Sequence, residues 1–250
     1  MPAHHDYRSK WVAAGYKAEM GSAVASLPPS DPSLIRVYHL TTADYAVSDL
    51  ALGRLKVARF SDLNDPFELI GLNFRERNTR KILRGFKDAY DAHSGLLSFS
   101  ADWLEPVMWS HYAMKHRGMC LGFNIPRKLL QQVQYEDQRL RDELDKNPDP
   151  TSIPEDLQAQ LLRTKYSGWK YENEYRRFIT LADAISEGRL HFMPFGPDLQ
   201  LAEVILGEQC DHSLETIRHL VAGRYSGVTA FRARLAFKWF SVVPNELTIP

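Results

Sequence analysis

A single α+β domain over residues 31–250, preceded by a helical arm over 1–30, is the fold this sequence predicts. Three observations lead there. Short apolar runs with period-two alternation, such as GLLSFSAD and TAFRARLAFKWFSVVP, read as strands. Elsewhere apolar residues recur at helical spacing, as at Ile82, Leu83, Phe86 and Tyr90. With 250 residues, 44% of them hydrophobic and 25% charged, the chain has enough apolar side chains for one sizeable core.

In chain order, residues 7–25 place Trp11, Val12, Tyr16 and Met20 near a helical spacing, and SLPPSDPS breaks the pattern. LIRVYHLTT reads as a buried strand with Ile35, Val37 and His39 on one face. ADYAVSDLALGRL gives a short helix closed by Gly53, and LKVARF the next strand. Asn64, Asp65 and Pro66 carry turn chemistry. A helix over 79–92 leads to GLLSFSAD, a strand with Ser98 and Ser100 on one face and Leu97 and Phe99 on the other. EPVMWSHYAMKHRGMCLGF is a helix stopped at Gly118 and then a strand. VQYED is a short strand, and RLRDELDKNPDPTSIPE a charged surface excursion. PEDLQAQLLRTKYSGW reads as one helix from Pro154 or Glu155. RRFITL, HFMPF and LAEVIL are strands, SLETIRHLVAGR is a helix capped by Ser213, and TAFRARLAFKWFSVVP closes the chain as one long strand.

Charge excludes some functions. Lys plus Arg equals Asp plus Glu at 31 each, so no global field draws the protein to nucleic acid or an anionic membrane, which leaves local basic patches open. Cys120 and Cys210 stand far apart in apolar surroundings, which suits reduced thiols. The opening MPAHHDYRSKWVAAGYKAEM has no long apolar core behind a basic end, and no apolar run is long enough to span a bilayer, so a cytoplasmic location is expected.

The richest chemistry lies in KYSGWKYENEYRRFIT. Alternation puts Glu172, Glu174 and Arg176 on one face and Tyr171, Asn173 and Tyr175 on the other. An exposed edge strand with a cross-face salt bridge explains this pattern, and so does a catalytic glutamate at the mouth of an aromatic-walled pocket. Similar pairs of readings hold for His39, a satisfied strand-end imidazole or a site residue, and for Trp109 and Tyr112, core aromatics or pocket walls. His111 and His116 are five apart, off the spacing that puts two zinc ligands on one helix face. A Mg²⁺ or Mn²⁺ phosphodiesterase would need Asp65, Glu68, His111 and Glu174 together, which no ligand spacing supports, so no metal is expected.

The blocks YHLTT, GRLKVARFSDLNDPFE, LLSFSAD, MWSHYAMKHRGMCLGF, W-x-YENEYR and EVILG, in that order from about residue 36 to 207, resemble a bacterial domain-of-unknown-function family, the one numbered 2971. That family name supplies no activity. The order of a strand-end His, a Ser-x-Ser strand and a Glu-x-Glu strand also resembles the three-part signature of ADP-ribosyltransferases. This second resemblance implies a mixed, mostly antiparallel split sheet flanked by helices. It further implies that NAD is the substrate and that a macromolecule, protein or nucleic acid, is the acceptor, in the manner of a toxin or phage-defence effector. Position by position it assigns Glu174 as the catalytic carboxylate, Glu172 as the carboxylate facing the acceptor, and His39 as a holder of the adenosine-side ribose. Ser98 or Ser100 would orient the glutamate or ribose, Trp109 or Tyr112 would stack on nicotinamide, and Arg36, Arg59 or Arg176 would meet the pyrophosphate. Replacing Glu174 by Gln should then abolish NAD cleavage with little loss of stability, provided Glu174 lies on the surface of a pocket. The sequence carries no Gly-rich phosphate loop, so NAD would not be held in the Rossmann manner. The reading of a different class is a non-enzymatic sensor in which Trp109, Tyr112, Trp169 and Tyr171 stack on bases and Arg176 and Arg177 meet phosphate.

Overall fold

The structure is a computed structural model that describes residues 28–65, 67–69, 77–140 and 153–249. Apart from 28–30, the expected N-terminal arm lies outside them, as do Pro66 and most of the charged excursion.

Thirteen strands and five α-helices are described: β1 Leu34–Thr41, α1 Ala43–Leu52, β2 Arg54–Val57, α2 Arg77–His93, β3 Ser94–Ser100, α3 Pro106–Tyr112, β4 Met119–Pro126, β5 Gln131–Gln132, β6 Gln134–Glu136, α4 Glu155–Arg163, β7 Thr164–Tyr166, β8 Glu174–Thr180, β9 Ile185–Glu187, β10 Leu190–Pro194, β11 Gln200–Leu206, α5 Leu214–Ala222, β12 Thr229–Leu235 and β13 Val242–Pro244. The main sheet has eight strands in the order β13-β12-β11-β4-β1-β3-β8-β5. Its β11–β12 pair is parallel and its other pairs are antiparallel. The fold is therefore α+β with a mixed, mostly antiparallel sheet. Eight residues of β1 are in register with β4, whereas β1 meets β3 at Tyr38 opposite Ser100. The sheet opens at that seam, and the site lies there.

Each face of the sheet has its own core. Val37, Leu97, Phe99, Leu121, Phe123, Val204 and Leu206 pack with Ala46 and Leu50 of α1 and Ile217 and Val221 of α5. Tyr38, Leu40, Cys120, Ile205 and Phe231 pack on the other side with Trp103, Met108 and Trp109. Both cores follow from alternation along β1, β4 and β11, which a register shift between Leu201 and Glu203 interrupts in β11. Helix caps follow the sequence: Thr42 Oγ1 accepts from the Tyr45 amide at 3.2 Å, Ser213 Oγ from the Thr216 amide at 3.0 Å, and Gly53 takes the left-handed turn at φ 68°. Gly118 and Gly207 are required by close approach. A Cβ on Gly118 would lie 2.2 Å from the Thr41 carbonyl oxygen, and one on Gly207 2.1 Å from that of His116.

Four expected elements differ. The helix expected to run to Gly118 ends at Tyr112, and Met114, Lys115 and His116 take left-handed φ of 47°, 55° and 68° before β4 begins. The helix from 155 ends at Arg163, where Thr164 enters β7 and its hydroxyl bonds back to the Gln160 carbonyl at 2.8 Å. VQYED gives β6 at Gln134–Glu136, and a further short strand, β5 at Gln131–Gln132, precedes it across the buried Val133, whose amide donates to the Glu174 carbonyl. The long closing strand is a hairpin, β12 to β13, turned at 236–241 and closed by the Ala236 amide on the Ser241 carbonyl at 2.9 Å.

Asp49, buried on α1, gives the fold a pH dependence. Burial lifts its carboxyl to about 7 against the pull of Arg54. An acid whose pKa rises on folding keeps its proton in the folded chain where the unfolded chain has lost it. Stability therefore falls as pH climbs from the ordinary carboxylate range to about 7. Asp49→Asn should raise unfolding free energy by about 1–3 kcal/mol at about pH 8 and change it little at about pH 4, as read by urea unfolding.

Candidate functional site

The focal segment reaches the sheet by a turn. A 3₁₀ helix, Ser167–Glu172, ends at Asn173, which adopts φ 44°, ψ 52°, and only then does β8 begin at Glu174. Glu172 is thus not part of the strand, as alternation suggested, yet the left-handed step returns its side chain to the same place. An exposed edge is also ruled out. Strand β8 lies between β3 and β5, with Glu172 4%, Glu174 3% and Arg176 1% exposed.

Register builds the centre. Ser98 stands opposite Arg176 and Ser100 opposite Glu174, so these four side chains share one face of β3 and β8. Ser98 Oγ donates to Glu174 Oε1 at 2.5 Å. Arg176 donates Nε to Glu174 Oε1 at 2.9 Å and Nη2 to Glu174 Oε2 at 3.0 Å. Its Nη1 and Nη2 also reach Glu68 Oε1 and Oε2 at 2.6 and 3.1 Å, and Nη1 reaches the Leu162 carbonyl at 2.8 Å. From β7, Lys165 Nζ donates to Glu174 Oε2 at 3.0 Å and to Glu172 Oε2. Tyr112 OH, from α3, donates to Glu172 Oε1 at 2.5 Å. Three carboxylates (Glu68, Glu172, Glu174) and two cations (Lys165, Arg176) thus meet in one buried network with one excess carboxylate.

The environment separates the two focal glutamates. Burial works to raise the Glu174 pKa, but Arg176, Lys165 and the Ser98 hydroxyl outweigh it and hold the carboxyl at about 2. Glu172 moves the other way: burial lifts it above the usual range, opposed by Lys165 and reinforced by the Glu174 charge. Glu174 is therefore anionic at neutral pH, and Glu172 is the readier of the two to take a proton. Half-buried His39 is held neutral by burial, and its Nδ1 lies 3.0 Å from the Ser98 carbonyl. A carbonyl can only accept, so Nδ1 carries the hydrogen and Nε2 is the acceptor nitrogen.

Above this network is a cleft of about 280 Å³ lined by Tyr38, His39, Leu40, Leu63, Asn64, Phe99 and Met108, together with the polar residues just described. That volume sits at the lower edge of small-molecule pockets, about 300–1,000 Å³. Apolar walls over a charged floor keep the floor poorly screened.

Six residues singled out from the sequence, His39, Ser98, Ser100, Tyr112, Glu172 and Glu174, surround this cleft. Two others are placed elsewhere. Arg36 ion-pairs with Glu203 at 2.7 Å and donates Nε to Asn124 at 2.7 Å, away from the cleft: it shares the face of Tyr38 and Leu40, but these partners on β4 and β11 draw it to the far side of β1 from β3. Trp109 is fully buried in the second core, with Nε1 donating to the Trp103 carbonyl at 2.6 Å, so it stacks on no ligand. Trp109→Phe should cost about 1–3 kcal/mol in urea unfolding by deleting that buried hydrogen bond and the packing of the larger indole ring. Arg59 is bonded to Asp91 at 3.3 Å, and Arg177 donates to the Asp198 carbonyl at 2.7 Å. The four residues of the phosphodiesterase reading do not converge as ligands. Glu68 and Glu174 bind Arg176, and His111 meets Tyr171 OH at 3.0 Å. Among the described residues no group of three or more His, Cys, Asp and Glu is arranged to hold a metal ion.

Sequence reasoning missed Lys165 and Glu68 as members of the network. The signal for Glu68 is Arg176 itself, since an arginine buried in a strand demands a carboxylate partner. Lys165 had no periodic signal, because a 3₁₀ turn separates it from the glutamates it joins.

A family model described as "Protein of unknown function (DUF2971)" matches residues 108–177. It spans Tyr112, Lys165, Glu172, Glu174 and Arg176 of the site, and ends short of the 36–207 stretch over which the resemblance runs. No curated protein and no solved structure matches the chain.

Proposed function

We propose that the cleft breaks the nicotinamide–ribose bond of NAD and passes ADP-ribose to a macromolecular acceptor, as an ADP-ribosyltransferase does. The observation that carries this reading is the Ser98–Glu174 pair on adjacent strands at the seam of the sheet, with the His39 imidazole on the neighbouring strand β1.

The chemistry follows from charge. As the C1′–N bond lengthens, its electron pair leaves with nicotinamide and positive charge grows on C1′ and the ring oxygen of the ribose. Glu174, anionic and held by Ser98, Arg176 and Lys165, places negative charge beside that centre without reorganising. Nε2 of His39 accepts from a ribose hydroxyl, and Tyr112 and Phe99 flank the nicotinamide ring. The acceptor nucleophile attacks C1′ and its proton passes to Glu172, the carboxylate of higher pKa.

A second reading, nucleotide binding without turnover, is favoured by one feature. Four hydrogen bonds already occupy the two oxygens of Glu174, so a ribose hydroxyl must displace one donor to reach it. The two readings separate when the wild-type protein is incubated with NAD, following both the melting temperature and released nicotinamide. The enzyme reading expects a raised melting temperature and accumulating nicotinamide. A raised melting temperature with intact NAD, with candidate acceptors present, would leave only the binding reading.

A further inference from the structure

The hairpin between β12 and β13 ends in four consecutive exposed residues, Phe237, Lys238, Trp239 and Phe240. Hairpin tips ordinarily carry Gly, Asn, Asp, Pro or Ser, because those residues satisfy turn geometry and solvent alike. Here Phe240 is 103% and Phe237 86% exposed, and Trp239 45%. The tip is nonetheless firmly presented. Phe231 and Ala233 of β12 and Val242 of β13 are buried in the second core, and the Val242 amide donates to the Leu104 carbonyl at 2.9 Å. The Ala236 amide closes the turn on the Ser241 carbonyl.

The hairpin's own charges have one sign. Residues 227–244 hold Arg232, Arg234 and Lys238 and no acidic residue. Arg232 is turned inward onto the carbonyls of Gly207, Cys210 and His212. Arg234 lies over the Phe237 ring, 4.5 Å from its centroid, and Lys238 is exposed between the aromatics. Phe237 and Phe240 stand almost wholly clear of the other described residues, so an occupant must close round the turn to cover both rings. The headgroup boundary of a bilayer closes round such a tip, takes aromatic rings at the interface, and offers anionic phosphates to the flanking cations.

We infer that the 237–240 tip docks the protein peripherally on anionic lipid bilayers, with Phe237 and Phe240 entering the interface and Lys238 and Arg234 meeting headgroup phosphates. Such contact requires no spanning segment, and no helix among the described residues is long and apolar enough to cross a membrane. The inference is independent of the chemistry assigned to the cleft.

The test is co-sedimentation of the full chain with phosphatidylcholine vesicles, alone and mixed with phosphatidylglycerol. The wild type should sediment with the mixed vesicles and not with phosphatidylcholine alone, and added salt should weaken binding. The double variant Phe237→Ser, Phe240→Ser should bind about tenfold less or weaker still, with an unchanged melting temperature because both side chains are exposed. Lys238→Glu should weaken binding to mixed vesicles in the same way. No sedimentation of the wild type, or equal binding by the double variant, would overturn the inference. So would concentration-dependent dimers, or single-stranded oligonucleotide binding, lost in the double variant while vesicles are ignored.

Discussion

Arg176→Met should lower the free energy of unfolding by about 3–5 kcal/mol, the range for breaking a buried ion pair from one side. The guanidinium is 1% exposed and donates to Glu68, Glu174 and the Leu162 carbonyl. Without it the three buried carboxylates Glu68, Glu172 and Glu174 are left with Lys165 as the network's remaining cation. Arg176→Lys should rescue little, because an ammonium cannot fork onto two carboxylates. Adding Glu68→Gln to Arg176→Met should recover part of the loss. The pH dependence has a definite sign. In the wild type Glu174 has a depressed pKa of about 2, so its contribution is full above the ordinary carboxylate range and is lost as pH falls towards that value. In Arg176→Met the carboxylates prefer their protons, and acidification helps the folded chain. The gap between the two proteins should therefore narrow from about pH 7 to about pH 5 in urea unfolding. A gap that stayed constant would mean that the network is not holding Glu174 ionised.

Glu174→Gln should reduce nicotinamide release by about 10²–10³-fold, the scale for losing one preorganised electrostatic contact to a developing charge. Glutamine keeps the shape and an oxygen for Arg176, and removes the charge. Burial changes one expectation here. Glu174 is 3% exposed and neutralises both Lys165 and Arg176, so the substitution should also cost about 1–3 kcal/mol of stability rather than leave it untouched. Rates must therefore be compared at equal folded fraction.

Where local periodicity governs geometry, the sequence was readable. Alternation placed Ser98 and Ser100 on one face of β3 and Glu174 and Arg176 on one face of β8, and the register of the two strands then made them neighbours. Alternation alone did not place Arg36: it shares the face of Tyr38 and Leu40, and its pairing with Glu203 and Asn124, which lie far off in the chain, takes it away from the cleft. Trp109 and Tyr112, three apart on α3, lie on adjoining sides of the helix. One enters the core and the other the cleft, a choice that depends on tertiary packing and not on spacing. Turns were least legible. The chain from Thr164 to Asn173 continues no helical pattern, and its left-handed end at Asn173 leaves no compositional mark beyond an asparagine. The tip at 237–240 reads as strand because its residues are those strands prefer. Glu68 and Arg176 are 108 positions apart in the chain, and a pairing that distant is invisible to any window.

The most direct measurement is nicotinamide released from NAD by wild type and Glu174→Gln, at equal folded fraction and with candidate acceptors present. Release by the wild type that falls at least about a hundredfold in the variant is the predicted result. Equal release by both proteins, or none by a wild type that NAD also fails to stabilise, would contradict the assignment of this cleft to NAD chemistry.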